Sequence, residues 1–244
     1  LTPDDGNWQR QPFGKVPGLS KINAWGVNDD TNEYFMSVSG FLQPASLSLG
    51  NLDNGTNGEA ERLKQDPSQF DASRYQVSQH FAASDDGTRV PYFVIARKDV
   101  AYDGKNPTLL YGYGGFEVSL EPYYLGVSGV SWLDRGGVFV VANIRGGGEY
   151  GPEWHKAALK EKRLRAYEDF APVAKALIAS NITSPAHLAA PGGSNGGLLA
   201  GNMLPRYPPL SGALACDVAL PALSRLPHLS AGASWPAEYC HPQH

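Results

Sequence analysis

The sequence has 244 residues, 42% of them hydrophobic, which is enough to bury the core of one large domain or two small ones. Its formal net charge of -4 argues against nucleic acid as the main partner. No apolar run approaches the length of a membrane span, so we expect no membrane insertion.

A β region is predicted over residues 1–70, because this stretch is polar, rich in Gly, Asn and Asp, and shows little helical periodicity. Strands are predicted at 34–41 and 45–52, where apolar and polar residues alternate. Such short strands cannot bury both faces by themselves, which favours the C-terminal part of a β-propeller. The stretch from Glu59 to Pro67 is predicted to be a charged linker to a second domain over residues 71–244.

The second domain predicts an α/β sheet, because a hairpin is followed by alternating strands and helices. The strand over 137–143 is continuously apolar, which is typical of a parallel sheet covered on both faces. An amphipathic helix is predicted over 167–180, where one face is apolar. The other predicted strands are 75–81, 90–96, 108–111, 187–190 and 210–216.

The segment from Gly192 to Gly196 matches G-x-S-x-G, in which a strand ends in a strained turn that exposes a serine before a helix starts. Ser194 then needs a base and two donors that stabilise an oxyanion. One donor is the backbone N–H of Asn195, the residue after the serine. The second should come from the loop after an earlier strand, where Tyr113 offers a phenol, although a core or rim aromatic residue is the alternative.

Three glycines form a competing motif: Gly146, Gly148 and Gly151 match the dinucleotide-binding pattern G-x-G-x-x-G directly after a strand. That motif also requires an acidic residue at the end of the next strand. Glu168 and Asp169 have about the right distance but lie in the predicted helix. We therefore expect no dinucleotide, and no other cofactor is indicated.

The acid and base of a triad should follow the serine in the chain, in the order Ser, Asp or Glu, His. His228 leaves too little room for the acid, and His241 and His244 have no strand before them. We expect the catalytic Asp and His beyond residue 244, so the 244 residues alone should be inactive. His155 precedes the serine and is predicted to be a structural hydrogen-bonding residue.

The two cysteines and a cluster of basic residues also carry predictions. Cys216 and Cys240 are too few for a disulfide framework and show no zinc-ligand spacing, so we expect free thiols, no metal and a cytoplasmic location. A periplasmic or secreted location stays open, because the sequence starts as if within a longer protein. A solvated helix face is predicted for four basic residues: Lys160, Lys162, Arg163 and Arg165.

The chain resembles the prolyl oligopeptidase family of serine peptidases in three segments: Tyr111–Phe116, Ala142–Lys156 and Gly192–Leu199. The resemblance implies an α/β-hydrolase fold preceded by the last strands of a β-propeller. It also implies an enzyme, expected to be monomeric, that cleaves short peptides after proline.

The resemblance assigns roles to individual residues. Ser194 would be the nucleophile, and the Tyr113 phenol and the Asn195 N–H would form the oxyanion hole. An aromatic pocket suits proline, because a flat pyrrolidine ring stacks well on an aromatic face and polar side chains are excluded. The expected pocket residues are Phe116, Trp235 and Tyr239, with Leu220 at an aliphatic wall.

Two other functions stay open from the sequence. A dipeptidyl peptidase or an esterase could use the same serine turn. A non-catalytic protein could also keep the fold as a binding module.

Overall fold

The computed structural model describes residues 2–4, 7–9, 18–54, 60–218 and 235–239. The chain forms two units, one of residues 1–72 with 122–129 and one of residues 73–121 with 130–244. Among the described residues, no helix is both long and apolar enough to cross a membrane.

The first unit is built of antiparallel strands. A two-stranded ribbon precedes a four-stranded sheet in which each strand pairs with the next along the chain. The strands are β1 (Thr2–Asp4), β2 (Asn7–Gln9), β3 (Ser20–Gly26), β4 (Glu33–Gly40), β5 (Ser46–Asn51) and β6 (Glu61–Gln65). The strands predicted at 34–41 and 45–52 are confirmed as β4 and β5.

The linker predicted from Glu59 to Pro67 is wrong, because its central residues form β6 and pair with β5. All five residues of β6 are exposed. Charged side chains on an edge strand stay hydrated while the backbone pairs on its inner side, and they discourage pairing with another chain. Charge density therefore indicated solvent exposure correctly but not the absence of a strand.

The second unit contains a six-stranded mixed sheet in the order β12-β11-β9-β10-β8-β7. β9 to β12 are parallel to one another, and β8 runs antiparallel to both β7 and β10. The strands are β7 (Tyr75–Ala83), β8 (Arg89–Arg97), β9 (Thr108–Gly112), β10 (Val138–Ala142), β11 (Leu188–Gly193) and β12 (Ala213–Asp217). Every strand predicted for this region is confirmed within a few residues.

Five described α-helices accompany these strands. They are α1 (Val127–Ser131), α2 (Pro152–Lys156), α3 (Leu164–Ala179), α4 (Asn195–Arg206) and α5 (Pro236–Tyr239). Two of them, α3 and α4, pack against the six-stranded sheet. α3 confirms the helix predicted over 167–180 and starts three residues earlier. It buries Phe170, Val173 and Leu177 in the same hydrophobic core as β8, β9 and β10.

The topology sets two loops side by side. β9 and β11 are parallel neighbours, paired through Leu188 with Thr108 and Ala189 with Leu109. Their carboxyl ends therefore lie at the same edge of the sheet, where open α/β sheets place their ligand sites. The loop that begins with Tyr113 follows β9, and Ser194 follows β11.

Candidate active site

Ser194 occupies the strained turn that the sequence motif predicts. It joins β11 to α4 with φ 54° and ψ -119°, a left-handed conformation that is costly for a residue with a side chain. Its N–H donates to the Asp217 carbonyl at 3.0 Å, and its carbonyl accepts from the Leu198 N–H at 3.1 Å. The side chain stays partly exposed, so the turn presents a hydroxyl at the sheet edge.

Glycine is required where the turn closes on itself. A Cβ added to Gly192 would lie 2.0 Å from the carbonyl oxygen of Gly196. A Cβ added to Gly196 would lie 3.0 Å from the carbonyl oxygen of Gly112, at the end of β9. The two outer glycines of the motif therefore allow the serine turn to pack against itself and against the neighbouring strand.

Both predicted oxyanion donors lie at this edge. Asn195 is the first residue of α4, so its N–H has no acceptor within the helix and stands at the positive end of the helix dipole. Tyr113 follows β9 directly, and its backbone carbonyl accepts a hydrogen bond from the Asn195 side-chain amide. Asn195 thus joins the serine turn to the Tyr113 loop.

The Tyr113 loop, residues 113–117, holds two consecutive left-handed residues, Phe116 with φ 55° and Glu117 with φ 56°. Such strain persists only where surrounding contacts fix the backbone. The Glu117 N–H donates to the Gly146 carbonyl at 3.2 Å. The Phe116 N–H donates to the Glu238 carboxylate at 2.9 Å.

The competing dinucleotide motif has a different explanation. A Cβ added to Gly146 would lie 2.2 Å from the Gly114 carbonyl oxygen, and one added to Gly148 would lie 2.3 Å from that of Glu117. These glycines allow close packing against the Tyr113 loop. Asp169 accepts hydrogen bonds from the Arg145 side chain at 2.6 and 2.8 Å, so the acidic residue is a buried structural partner.

Three aromatic residues predicted for the pocket meet one another. The Phe116 ring lies edge-on to the rings of Trp235, with centroids 6.3 Å apart, and Tyr239, with centroids 5.6 Å apart. Burial raises the pKa of Tyr239, and its hydroxyl donates to the side-chain oxygen of Asn195. Leu220 lies outside the described residues.

Comparison with known proteins agrees with this arrangement. Residues 124–220 match the model of the prolyl oligopeptidase family. An uncharacterized peptidase of Sinorhizobium fredii is 45% identical over 93% of this chain and 31% of its own length. A solved structure of a post-proline cleaving enzyme from Rickettsia typhi superposes with a TM-score of 0.86 at 37% identity, over 99% of this chain and 34% of that one.

The chain therefore carries part of a domain of the prolyl oligopeptidase type. A prolyl endopeptidase of Elizabethkingia miricola is also similar, at 34% identity over 92% of this chain and 31% of that protein. The chain spans about a third of the length of these relatives. The predicted α/β-hydrolase fold, preceded by propeller-like strands, is confirmed by these similarities together with the mixed sheet.

A buried polar cluster at the candidate site was not predicted from the sequence. Arg163 and Glu238 are 8% and 4% exposed, and the guanidinium lies 3.3 Å from the carboxylate. Arg163 also donates to the Asn195 side-chain oxygen. His155 Nε2 lies 2.8 Å from the other Glu238 oxygen, which confirms the hydrogen-bonding role predicted for that histidine.

The solvated helix face predicted for the basic cluster is therefore wrong for Arg163. Arg163 precedes α3 instead of lying within it, so helical periodicity does not predict where its side chain points. A signal for Glu238 does exist: it is a lone acidic residue between Trp235 and Tyr239, both assigned to the pocket. In the described part of the chain, no group of three His, Cys, Asp or Glu side chains is placed to hold a metal ion.

Proposed function

We propose that this chain is part of a serine peptidase that hydrolyses peptide bonds on the carboxyl side of proline through an acyl-enzyme on Ser194. The observation that carries the proposal is the strained Ser194 turn, tied by the Asn195 side chain to the loop that bears Tyr113. Nucleophile and oxyanion donors thus come from neighbouring parallel strands of one sheet.

The proposed reaction follows the usual course of acyl transfer. The Ser194 hydroxyl attacks the carbonyl carbon of the scissile bond while a base removes its proton. The carbonyl oxygen becomes an oxyanion, to which the Asn195 N–H and the Tyr113 phenol donate hydrogen bonds. Collapse of this intermediate expels the amine, which takes the proton from the base, and water then hydrolyses the ester on Ser194.

The aromatic group formed by Phe116, Trp235 and Tyr239 supports proline as the residue before the cleaved bond. The three rings form an apolar group of edge-on contacts, and each side chain is partly exposed, so ring faces are available for stacking on a pyrrolidine. Two similar proteins carry the names prolyl endopeptidase and post-proline cleaving enzyme. We extend that specificity to this chain, with Leu220 as an aliphatic wall and short peptides as substrates for a monomeric, cytoplasmic enzyme.

The base and its acidic partner are proposed to lie beyond residue 244, because the order Ser, acid, base along the chain leaves no room for them before it. The 244 residues alone should then bind but not turn over substrate. Loss of the base typically lowers turnover by about 10⁶-fold. The division into a propeller part over 1–70 and a catalytic part over 71–244 belongs to the same proposal.

The test compares the rates at which the 244-residue segment and the full-length protein hydrolyse a proline amide. The full-length protein is the product of the complete reading frame that contains the segment. A fluorophosphonate should label the full-length protein at Ser194, and mass spectrometry of the Ser194→Ala variant should show no label. Full-length protein should also hydrolyse an N-blocked Ala-Pro amide. Rejection of that amide with rapid cleavage of simple esters would instead indicate an esterase, and a requirement for a free amino terminus would indicate a dipeptidyl peptidase.

A further inference from the structure

Phe116 is held from two sides by one short segment. Trp235 and Tyr239 contact its ring, whereas Glu238, between them in sequence, accepts a hydrogen bond from its backbone N–H at 2.9 Å. A single carboxylate therefore joins the Phe116 backbone to the segment that carries Trp235 and Tyr239. α5 is only four residues long, so this contact also fixes where Trp235 and Tyr239 stand.

The Phe116 backbone needs such a fixed partner. Its φ of 55° is left-handed and costly for an aromatic residue, and relaxation would turn the ring away from Trp235 and Tyr239. A carboxylate makes a stronger hydrogen bond to an N–H than a neutral oxygen does. Glu238 is 4% exposed, so water does not compete readily for this bond.

Two neighbouring side chains explain how Glu238 can be buried. Arg163 approaches one oxygen at 3.3 Å, and His155 approaches the other at 2.8 Å. Arg163 in turn donates to Asn195, which donates to the Tyr113 carbonyl. One chain of hydrogen bonds thus runs from the aromatic pocket to the oxyanion loop.

We propose that Glu238 is a positioning residue that clamps the Phe116 loop to the Trp235–Tyr239 segment and so maintains selectivity for proline, with Arg163 as its counter-ion. The inference rests on the proposed post-proline activity. Glu238 touches no reacting atom in this scheme. Its effect should therefore be measured as a ratio of rates for two substrates, because any disturbance that reaches the oxyanion loop acts on both substrates alike.

The experiment measures kcat/KM of the full-length protein for two N-blocked amides that differ only in Pro or Ala before the cleaved bond. Fluorophosphonate titration gives the active fraction, so unfolded protein does not distort the values. In Glu238→Ala the Pro/Ala ratio should fall by about tenfold or more, because a displaced pocket wall loses contacts worth roughly one or two methylene groups. Glu238→Gln keeps an oxygen for the Phe116 N–H and should retain part of the ratio.

Two matched variants separate positioning from stability. Glu153→Gln makes the same chemical change at an exposed residue, whose only described ion pair is with Lys156, and should leave the ratio unchanged. Asp169→Asn disturbs a buried ion pair elsewhere and should lower the melting temperature without altering the ratio. If Glu238→Ala does not fold, Glu238→Gln carries the test, with an expected fall of about threefold.

The outcomes separate the two proposals. A wild-type protein that does not prefer proline would overturn the proposed specificity, and the clamp with it. A wild-type protein that prefers proline, together with Glu238 variants that keep the same ratio, would overturn the clamp alone. A graded fall from wild type through Glu238→Gln to Glu238→Ala supports it.

Discussion

Two adjacent glycines in the serine turn should respond very differently to the same substitution. Neither Gly192 nor Gly193 has a positive φ, so alanine is acceptable to the backbone at both positions and only the available space differs. A Cβ at Gly192 would lie 2.0 Å from the Gly196 carbonyl oxygen. A Cβ at Gly193 would have the Asp217 carbonyl oxygen as its nearest neighbour, at 3.9 Å.

The magnitude follows from these distances. Real Cβ atoms essentially never come closer than 3.0 Å to such a neighbour, so Gly192→Ala must move the backbone of the turn by about 1 Å. Overpacking of this kind costs about 1–3 kcal/mol of stability. A displacement of about 1 Å at a nucleophile can lower the rate by about 10²-fold. Gly193→Ala meets no such obstacle and should change the rate by less than about threefold.

The assay is the second-order rate of fluorophosphonate labelling at Ser194 in the full-length protein, with the melting temperature measured on the same samples. Gly193→Ala serves as the matched control, because it adds the same methyl group to the neighbouring residue. Equal labelling rates for the two variants would refute the steric reasoning. So would a slow Gly193→Ala variant beside a rapid Gly192→Ala variant.

Three further predictions follow from the described contacts. Tyr113→Phe removes one oxyanion donor and should lower kcat for the proline amide by about 10²–10³-fold, whereas an unchanged kcat would contradict its role. Asp169→Asn removes one of the two carboxylates paired with Arg145 and leaves Asp86 as the other, so it should lower the free energy of unfolding in urea by about 1.5–3 kcal/mol; a loss below about 1 kcal/mol would contradict that. Burial and the hydrogen bond to Asp134 raise the pKa of Tyr75 from 10.0 to about 12, so its contribution to stability is present below pH 10 and is lost as the pH rises to 12. Alkaline unfolding curves should therefore be flatter over that range in Tyr75→Phe.

The elements that are determined by patterns of neighbouring residues could be predicted from the sequence. The strand over 137–143 is buried on both faces, so its residues are apolar without interruption. The turn at Ser194 depends on small residues within four positions of the serine, and the motif contains them all. β6 shows the limit of this reasoning, because exposed charges concealed a strand whose pairing partner lies earlier in the chain.

The buried pair of Arg163 and Glu238 could not be predicted from the sequence, because the two residues meet only in the tertiary structure. Arg163 and Glu238 are 75 residues apart in the chain, and neither lies on a face with a hydrophobic period. Each is a charged residue that would stand in water if the other were absent, since an unpaired buried charge is strongly unfavourable. Only the tertiary structure shows that their charges are paired away from solvent.

The strained backbone conformations at the site explain why a buried carboxylate is useful there. Of the seven non-glycine residues with positive φ in the described part of the chain, Phe116, Glu117 and Ser194 belong to the site. Each such conformation costs about 1–3 kcal/mol and would relax unless fixed by its surroundings. The three backbone N–H groups donate to Glu238, to Gly146 and to Asp217, respectively, so every strained residue is held by an acceptor from a distant segment. Among these acceptors only Glu238 accepts through its side chain. A substitution at Glu238 can therefore remove the hydrogen bond that holds a strained residue, whereas the other two acceptors are backbone carbonyls, which a substitution does not remove.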